Sequence, residues 1–174
     1  MRTTLLFAAV LTLGAAPFCR AEQVTIQMHR VEATGIGAAI GTVKAEDGPE
    51  GLVLTPNLAG LPPGAHGFHV HEKPSCAPGE KDGKPQAALA AGGHYDPQKT
   101  GTHAGPTGQG HLGDLPALRV ADDGTAGQAV VAPRLKVADL KGRSVMIHAG
   151  GDNYADTPEP LGGGGARIAC GVIE

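Results

Sequence analysis

The chain has 174 residues, with 28 Gly, 14 Pro, no Trp and a formal net charge of −3 at pH 7. This length fits one domain with a hydrophobic core, and the chain lacks the clustered basic surface that a nucleic-acid-binding protein needs. Beyond the first residues, no segment is apolar for long enough to cross a bilayer, so we expect no membrane anchor.

Residues 1–21 are typical of a secretory signal. Arg2 supplies the positive start, and Leu5–Ala16 form an apolar run that is too short for a stable anchor. Small residues frame a cleavage position after Ala21. We therefore expect export to the periplasm, removal of this signal peptide, and a single domain over residues 22–174.

Short apolar segments with alternating or β-branched residues follow along the rest of the chain, and turn signals such as Asp123-Gly124 separate them. This pattern predicts an all-β fold, an antiparallel β-sandwich or barrel with short strands. The predicted strands are Val24–Met28, Ile36–Val43, Leu52–Leu54, Ala129–Val131, Val145–Ile147 and Ile168–Ile173.

The interval from Pro74 to Ala117 lacks strand alternation and is rich in Gly, His, Pro and Asp. A structureless stretch of this length inside a compact domain is usually functional. Something other than a hydrophobic core has to order it.

Removal of the signal peptide also removes Cys19 and leaves two cysteines, Cys76 and Cys170. An exported chain enters an oxidising compartment, where two cysteines most simply form a disulfide. Two free buried thiols are the alternative.

His69 and His71 stand one residue apart in "GFHVHE". On a β-strand, side chains at positions i and i+2 point to the same face, so the two imidazoles lie side by side as metal ligands would. Val70 then faces the core. The alternative from this segment alone is a pair of solvated histidines on a polar strand face.

Five further candidate ligands follow, four at irregular spacing in the long interval and one after it. His94, His103, His111 and Asp114 suit a loop wrapped around an ion, because three imidazoles and one carboxylate are a set typical of zinc. His148 ends an apolar segment. With the first pair, these groups exceed the ligands of one tetrahedral ion, and an imidazole-only set suits copper, so we expect two metals.

Two other histidines are left out of this constellation. His66 lies three positions before His69, so on a regular strand it faces away from the pair, unless Gly67 introduces a bulge. We expect a hydrogen-bonded structural role for His66. His29 lies in an alternating amphipathic segment, where a solvated face is the default.

Five motifs, "GFHVHE", "AGGHYDP", "GHLGDLPAL", "MIHAGGDN" and "LGGGGARIACGVIE", resemble the copper–zinc superoxide dismutase family in its bacterial exported branch. The resemblance runs from about Gly35 to the C-terminus. It implies a Greek-key β-sandwich, a flattened eight-stranded barrel with long metal-binding and electrostatic loops. The implied activity is an antioxidant one, the disproportionation of superoxide to dioxygen and hydrogen peroxide.

The resemblance also implies residue roles, with one copper and one zinc ion per subunit. Copper would be held by His69, His71, His94 and His148. Zinc would be held by His94, His103, His111 and Asp114. The shared ligand His94 would also deliver a proton to peroxide, and Cys76–Cys170 would be the family's intrasubunit disulfide.

Two further polar residues match the family motifs. Asp152 would hydrogen-bond the outer nitrogens of His69 and His103, and a turn-forming Asp is the alternative. Arg167 would bind the incoming anion beside copper with its planar donor fork, and an Arg exposed on a late strand is the alternative. Unlike the eukaryotic pattern, residues 153–166 contain no lysine.

Loss of Arg2 and Arg20 lowers the formal charge by two, from −3 to −5, so an anionic substrate needs a local positive funnel. Lys81, Lys84 or Lys99 are candidates to supply it. A solvated charge run in "EKDGK" is the alternative, and the slightly favoured one.

Two other functions are consistent with the same fold class. A copper-delivery or storage module would be expected to lose a copper ligand, the zinc loop or the arginine, all of which this chain retains. A structural zinc-binding sandwich would need neither the copper histidines nor Arg167. The predicted partner is superoxide, and the chain is either a monomer or a homodimer.

Overall fold

The structure, a computed structural model, describes residues 22–174. The predicted signal peptide therefore lies outside the described residues. The strands are β1 (Gln23–Glu32), β2 (Gly35–Gly48), β3 (Gly51–Leu58), β4 (Gly64–His66), β5 (Phe68–His71), β6 (Gly79–Lys81), β7 (Lys84–Gln86), β8 (Leu118–Val120), β9 (Val130–Ala132), β10 (Arg143–His148) and β11 (Arg167–Ile173).

Seven of these strands form one curled antiparallel sheet in the order β5-β10-β11-β1-β2-β3-β9. A second antiparallel pair, β4 with β8, lies next to the β5 edge of this sheet, because β4 leads through Gly67 directly into β5. The bridge between Leu58 and Ala126 links the end of β3 to the chain between β8 and β9. The predicted all-β barrel-like fold is confirmed, and the described chain contains no α-helix.

All six predicted strands are present, as is the strand predicted for His69 and His71, but the prediction missed four more. Two of the missed strands, β4 and β8, are each three residues long and pair with each other. The interval 74–117 is not structureless, since β6 and β7 form a hairpin within it. Asp82 and Gly83 join them, both with positive φ, as a two-residue hairpin turn requires.

The core lies inside the curled sheet. In β1, Ile26 and Met28 are buried while Thr25 and Gln27 are exposed. This alternation is the two-residue period of a strand with one solvent-exposed face. Every residue of β5 and nearly every residue of β10 is buried, because loops cover their outer faces. Those covering loops carry the candidate ligands.

A disulfide joins Cys76 to Cys170, as predicted. It ties the long loop after β5 to the middle of β11, the strand on which Arg167 lies. A small buried cluster that includes Ala88, Ala91 and Met146 packs around it. The disulfide thus holds the segment around residue 90 against the sheet.

Residues 22–174 contain no helix with the length and apolar character needed to cross a membrane.

Candidate metal centre

The paired histidines lie where the sequence pattern predicts. His69 and His71 are opposite Met146 and Ser144 of β10, both fully buried on the same side of β5. On the other edge of β5, the long loop returns as a partial strand partner, with bridges from His71 to His94 and from His69 to Asp114. Backbone pairing therefore brings two loop ligands beside the two strand ligands.

The first cluster consists of His69, His71, His94 and His148, whose ligand atoms all lie within 4.8 Å of one another. Nδ1 of His71 donates to the carbonyl of Gly92 at 3.0 Å, and Nδ1 of His148 donates to that of Gly165 at 3.2 Å. A carbonyl only accepts, so these neutral rings carry their proton on Nδ1 and a lone pair on Nε2.

The two Nε2 atoms of His71 and His148 are 3.4 Å apart. Two lone pairs facing each other in a buried site repel unless a cation or proton lies between them. This arrangement fits a metal ion that prefers imidazole nitrogen, such as copper.

The second cluster surrounds one carboxylate oxygen. Oδ1 of Asp114 is 3.0 Å from Nδ1 of His94, 3.0 Å from Nδ1 of His103 and 3.4 Å from Nδ1 of His111. The Nδ1 atoms of His103 and His111 are buried without a hydrogen bond in the described chain. Three nitrogens and one oxygen converging in this way fit a tetrahedral zinc site.

Ligand atoms of His69, His94, His103 and Asp114 also lie within 4.8 Å of one another. His111 lies outside this set, although its Nδ1 is 3.4 Å from Oδ1 of the same Asp114. We assign His69 to the first cluster because of its neighbours. Its ring stacks on the ring of His94, with the centroids 3.9 Å apart, and its centroid is 4.9 Å from the ring centroid of His148. His94 is common to both clusters.

Asp152 makes the two hydrogen bonds that the family motif implies. Oδ2 accepts from Nε2 of His69 at 2.8 Å, and Oδ1 accepts from Nε2 of His103 at 2.7 Å. Because each ring donates through Nε2, the neutral form of each ring carries its lone pair on Nδ1, which points into a cluster. The turn-forming alternative is insufficient, although Asp152 also accepts from the backbone of Tyr154.

Burial and mutual repulsion keep the first cluster unprotonated. Burial, with the neighbouring His69 ring, lowers the pKa of His148 to about 3 and that of His94 to about 4. Burial lowers the pKa of His103 as well, but the carboxylates of Asp114 and Asp152 on its two nitrogens raise it to about 9. The first cluster is therefore neutral at pH 7, the state in which imidazole binds metals.

A cleft of about 570 Å³ opens over the first cluster, and its lining includes His71, His94, His148 and Arg167. Arg167 donates to the carbonyl of Ala88 at 2.6 Å and to that of Gly92 at 2.5 Å. The side chain is half-buried rather than exposed on the strand, which contradicts the alternative of a solvated Arg.

Of the three candidate lysines, Lys81 lines this cleft, and Lys84 and Lys99 are not among its lining residues. The run from Glu80 to Lys84 is exposed throughout, as a solvated charge run predicts. Lys81 is both exposed and next to the cleft, because the β6–β7 hairpin forms one rim of the cleft.

The two excluded histidines lie outside both clusters. His66 is buried, with its ring nitrogens 2.8 Å from the carbonyls of Pro62 and His148, which confirms a hydrogen-bonded structural role. Gly67 interrupts the strand between β4 and β5. His29 is half-buried, and Thr25 and Gln27, which precede it at alternate positions of β1, are exposed.

Sequence reasoning missed two residues that hold the ligand loops. Asp156 accepts from the backbone N–H of His103 at 2.8 Å. Arg134 donates to carbonyls around His111. No motif marks either residue, since both act on backbone atoms that every residue type has.

Known proteins are similar to this chain in both sequence and fold. The profile of the family "Copper/zinc superoxide dismutase (SODC)" matches residues 39–173. A superoxide dismutase [Cu-Zn] of Brucella melitensis is 57% identical over 175 residues, covering 100% of both chains.

Two solved structures are similar over 88% of this chain and 100% of their own. One is a Cu/Zn superoxide dismutase from Brucella abortus, with 60% identity and a TM-score of 0.87. The other is the solution structure of the monomeric copper, zinc superoxide dismutase from Salmonella enterica, with 56% identity and a TM-score of 0.79.

Proposed function

The chain belongs to the copper/zinc superoxide dismutase family, and we propose that its two histidine clusters bind one copper and one zinc ion. Its activity is the conversion of two superoxide anions and two protons to dioxygen and hydrogen peroxide. The proposed copper ligands are His69, His71, His94 and His148. The proposed zinc ligands are His94, His103, His111 and Asp114.

The inward-facing ring nitrogens carry this proposal. Nε2 of His71 and Nε2 of His148 face each other at 3.4 Å while their Nδ1 atoms face carbonyls. Nδ1 of His69 is buried without a hydrogen bond, because Asp152 holds the opposite nitrogen. A bound cation would satisfy these lone pairs together in the buried site.

When bound, copper supplies the one-electron oxidation and reduction of superoxide, and zinc is a redox-silent cation beside it. Arg167 binds the anion, since its guanidinium stays charged and lines the cleft next to His71 and His148. The carbonyls of Ala88 and Gly92 fix the orientation of its donors.

His94 is the proton donor in this proposal. Its Nδ1 is held on the Asp114 side at 3.0 Å, which leaves Nε2 for the copper cluster and the cleft. Nε2 would take up a proton from water in the cleft and pass it to the departing peroxide. Asp152 keeps His69 and His103 in the tautomer that leaves Nδ1 unprotonated.

One crystal of fully loaded protein tests these assignments. Anomalous scattering at the copper and zinc edges is expected to give one copper peak among His69, His71 and His148 and one zinc peak beside Asp114. Activity of the same preparation is expected to be abolished by cyanide. Zinc without copper, or cyanide-insensitive scavenging, would instead favour a structural or delivery module.

Variants sharpen that experiment. His148→Ala is expected to lose copper and activity while retaining zinc. His29→Ala, a histidine outside both clusters, is the matched control and is expected to retain both metals. Equal metal loss from the two variants would contradict the assignment of His148.

We also propose that residues 1–21 direct export to the periplasm and are removed, leaving one domain over residues 22–174. A charged start, a short apolar run and an internal disulfide support this proposal, as do bacterial relatives. Mass spectrometry of the periplasmic fraction is expected to give an N-terminus at Glu22. An intact Met1, or a lipid on Cys19, would contradict it.

Of the two predicted oligomeric states, the relative from Salmonella enterica supports the monomer, since its solution structure is of a monomeric protein. Sedimentation velocity at two concentrations distinguishes the monomer from a homodimer.

A further inference from the structure

Arg134 lies after β9, outside both ligand loops, and its half-buried side chain reaches across to the loop that carries His111. Nε donates to the carbonyl of Pro106 at 3.1 Å, and Nη1 donates to that of Gly110 at 3.1 Å. Nη2 lies 3.5 Å from the carbonyl of Gly105 and also donates a short hydrogen bond to that of His111. No carboxylate of the described chain lies within 4 Å of this guanidinium.

The three proposed zinc histidines are not held in place equally well by their surroundings. His94 follows a strand-like backbone, and the ring of His103 is held by Asp152. The ring of His111 makes no hydrogen bond in the described residues, so its position depends on its backbone. Its N–H donates to the carbonyl of Thr102 at 2.9 Å, and its carbonyl accepts from Arg134.

The loop itself is poorly suited to hold a fixed shape before metal binds. Gly105, Gly108 and Gly110 lie within it, and Gly105 has a φ of +68°. A Cβ at Gly108 or Gly110 would lie 2.2 Å or 2.4 Å from a backbone oxygen, so the close turns require glycine. Glycine loses much conformational freedom on ordering, and this loop therefore needs an external constraint.

We propose that Arg134 is a positioning residue for His111, a planar fork that fixes the carbonyls of residues 105–111 and so presents this ligand to zinc. The inference rests on the proposed assignment of His111 to zinc. Arginine suits this task because its five donors lie in one rigid plane, which a lysine cannot reproduce.

The test measures the rate of zinc loss from the copper- and zinc-loaded protein to an excess of a chromophoric chelator. Arg134→Met keeps much of the side-chain volume without donors and is expected to lose zinc about tenfold faster or more, since removing such a supporting contact typically costs 10–100-fold in affinity. Arg134→Lys is expected to be intermediate. The exposed Arg119 of β8 provides the matched control, and Arg119→Met is expected to behave as wild type.

A second readout separates positioning from a general loss of stability. In metal-free protein, the amides of residues 105–111 are expected to exchange hydrogen faster in Arg134→Met, while those of β10 and the copper retention of loaded protein remain unchanged. If Arg134→Met does not fold, Arg134→Lys is measured in its place.

Zinc loss at the wild-type rate, together with unchanged exchange in residues 105–111, would overturn the inference. So would equal acceleration by Arg134→Met and Arg119→Met. His111→Ala distinguishes this failure from failure of the zinc assignment: if His111→Ala also retains zinc as wild type does, the assignment itself is wrong.

Discussion

Asp152 and His103 are joined by a hydrogen bond of 2.7 Å between the carboxylate Oδ1 and the ring Nε2, and both side chains are fully buried. The other oxygen of Asp152 binds His69 in the same way. One carboxylate, supplied by the loop after β10, therefore orients a ligand of each cluster. Neither histidine is near Asp152 in the sequence.

Asp152→Asn is expected to weaken the binding of both metals by about 10–100-fold. The amide keeps the shape of the carboxylate, but its NH₂ group faces a ring that also donates, so one of the two hydrogen bonds is replaced by a donor–donor contact. Metal content after dialysis against a chelator measures the effect. The exposed Asp122 supplies the matched control Asp122→Asn, and equal metal retention by both variants would contradict the prediction.

Arg167→Ala is expected to lower activity several-fold or more with copper retained. Arg167 donates to the carbonyl of Gly92, which also accepts from His71, but it makes no hydrogen bond to a ligand ring. Arg167→Lys keeps the charge and is expected to recover part of the loss. Kinetics at low ionic strength, with Arg119→Ala as control, measure this role, and an unchanged kcat/KM would remove Arg167 from substrate binding.

Lys81→Glu is expected to lower kcat/KM several-fold at low ionic strength. Lys81 lines the cleft, whereas Lys99 does not, and both are exposed. The Debye length shrinks from about 30 Å at 0.01 M to about 8 Å at 0.15 M, so the effect is expected to fade with added salt. Lys99→Glu makes the same charge change away from the cleft, and an equal loss from it would assign the effect to net charge alone.

The metal-free protein is expected to be most stable near pH 6.5. His148 and His94 have pKa values of about 3 and 4 in the folded state, below the value of about 6.5 for an unfolded chain. As the pH falls from 6.5 to 4, the unfolded state therefore binds protons that the folded state does not, and the free energy of unfolding decreases. Each difference of one in pKa corresponds to about 1.4 kcal/mol.

Titration of His103 makes the free energy of unfolding decrease at alkaline pH instead. The carboxylates of Asp114 and Asp152 overcome the effect of burial and raise its pKa to about 9, so its contribution is complete below pH 6.5 and is lost as the pH rises toward 9. Urea titrations of metal-free protein between pH 4 and 9 measure the decrease in stability on both the acidic and the alkaline side. A free energy of unfolding that stays constant from pH 7 to 4 would contradict the burial of neutral imidazoles.

Replacing both Cys76 and Cys170 with serine is expected to destabilise the protein by about 4–5 kcal/mol in the chain-entropy model. The two cysteines are 94 positions apart, so the disulfide closes a long loop of the unfolded chain. Denaturant unfolding of the metal-free double variant, compared with the metal-free wild type, measures the difference. A change below about 1 kcal/mol would show that the unfolded state is already compact without the disulfide.

The strands that the sequence predicts share one property, apolar or β-branched residues that alternate or run together between turn signals. Ile26 and Met28 of β1 illustrate it, and their burial is confirmed. The strands β4 and β8 have three residues each and exist because they pair with each other. The β6–β7 hairpin carried a readable signal, Asp82-Gly83 between two short segments, which the prediction did not use.

The amino-acid sequence alone determined which residues have the chemistry to bind metal, because imidazole and carboxylate side chains are visible in it. It also determined that His69 and His71 share a face, since the alternation of a strand is a local property. Resemblance to family motifs added the pairing of distant ligands.

Only the tertiary structure decided how those groups meet and what holds them. The register of β5 with the returning loop brings His94 beside His71, and carbonyls at Gly92 and Gly165 direct the ring nitrogens inward. Arg134 and Asp156 act on backbone atoms far away in the chain. Hydrogen bonds to backbone leave no residue-specific pattern, because every peptide offers the same carbonyl, so such supports become visible only once the chain is folded.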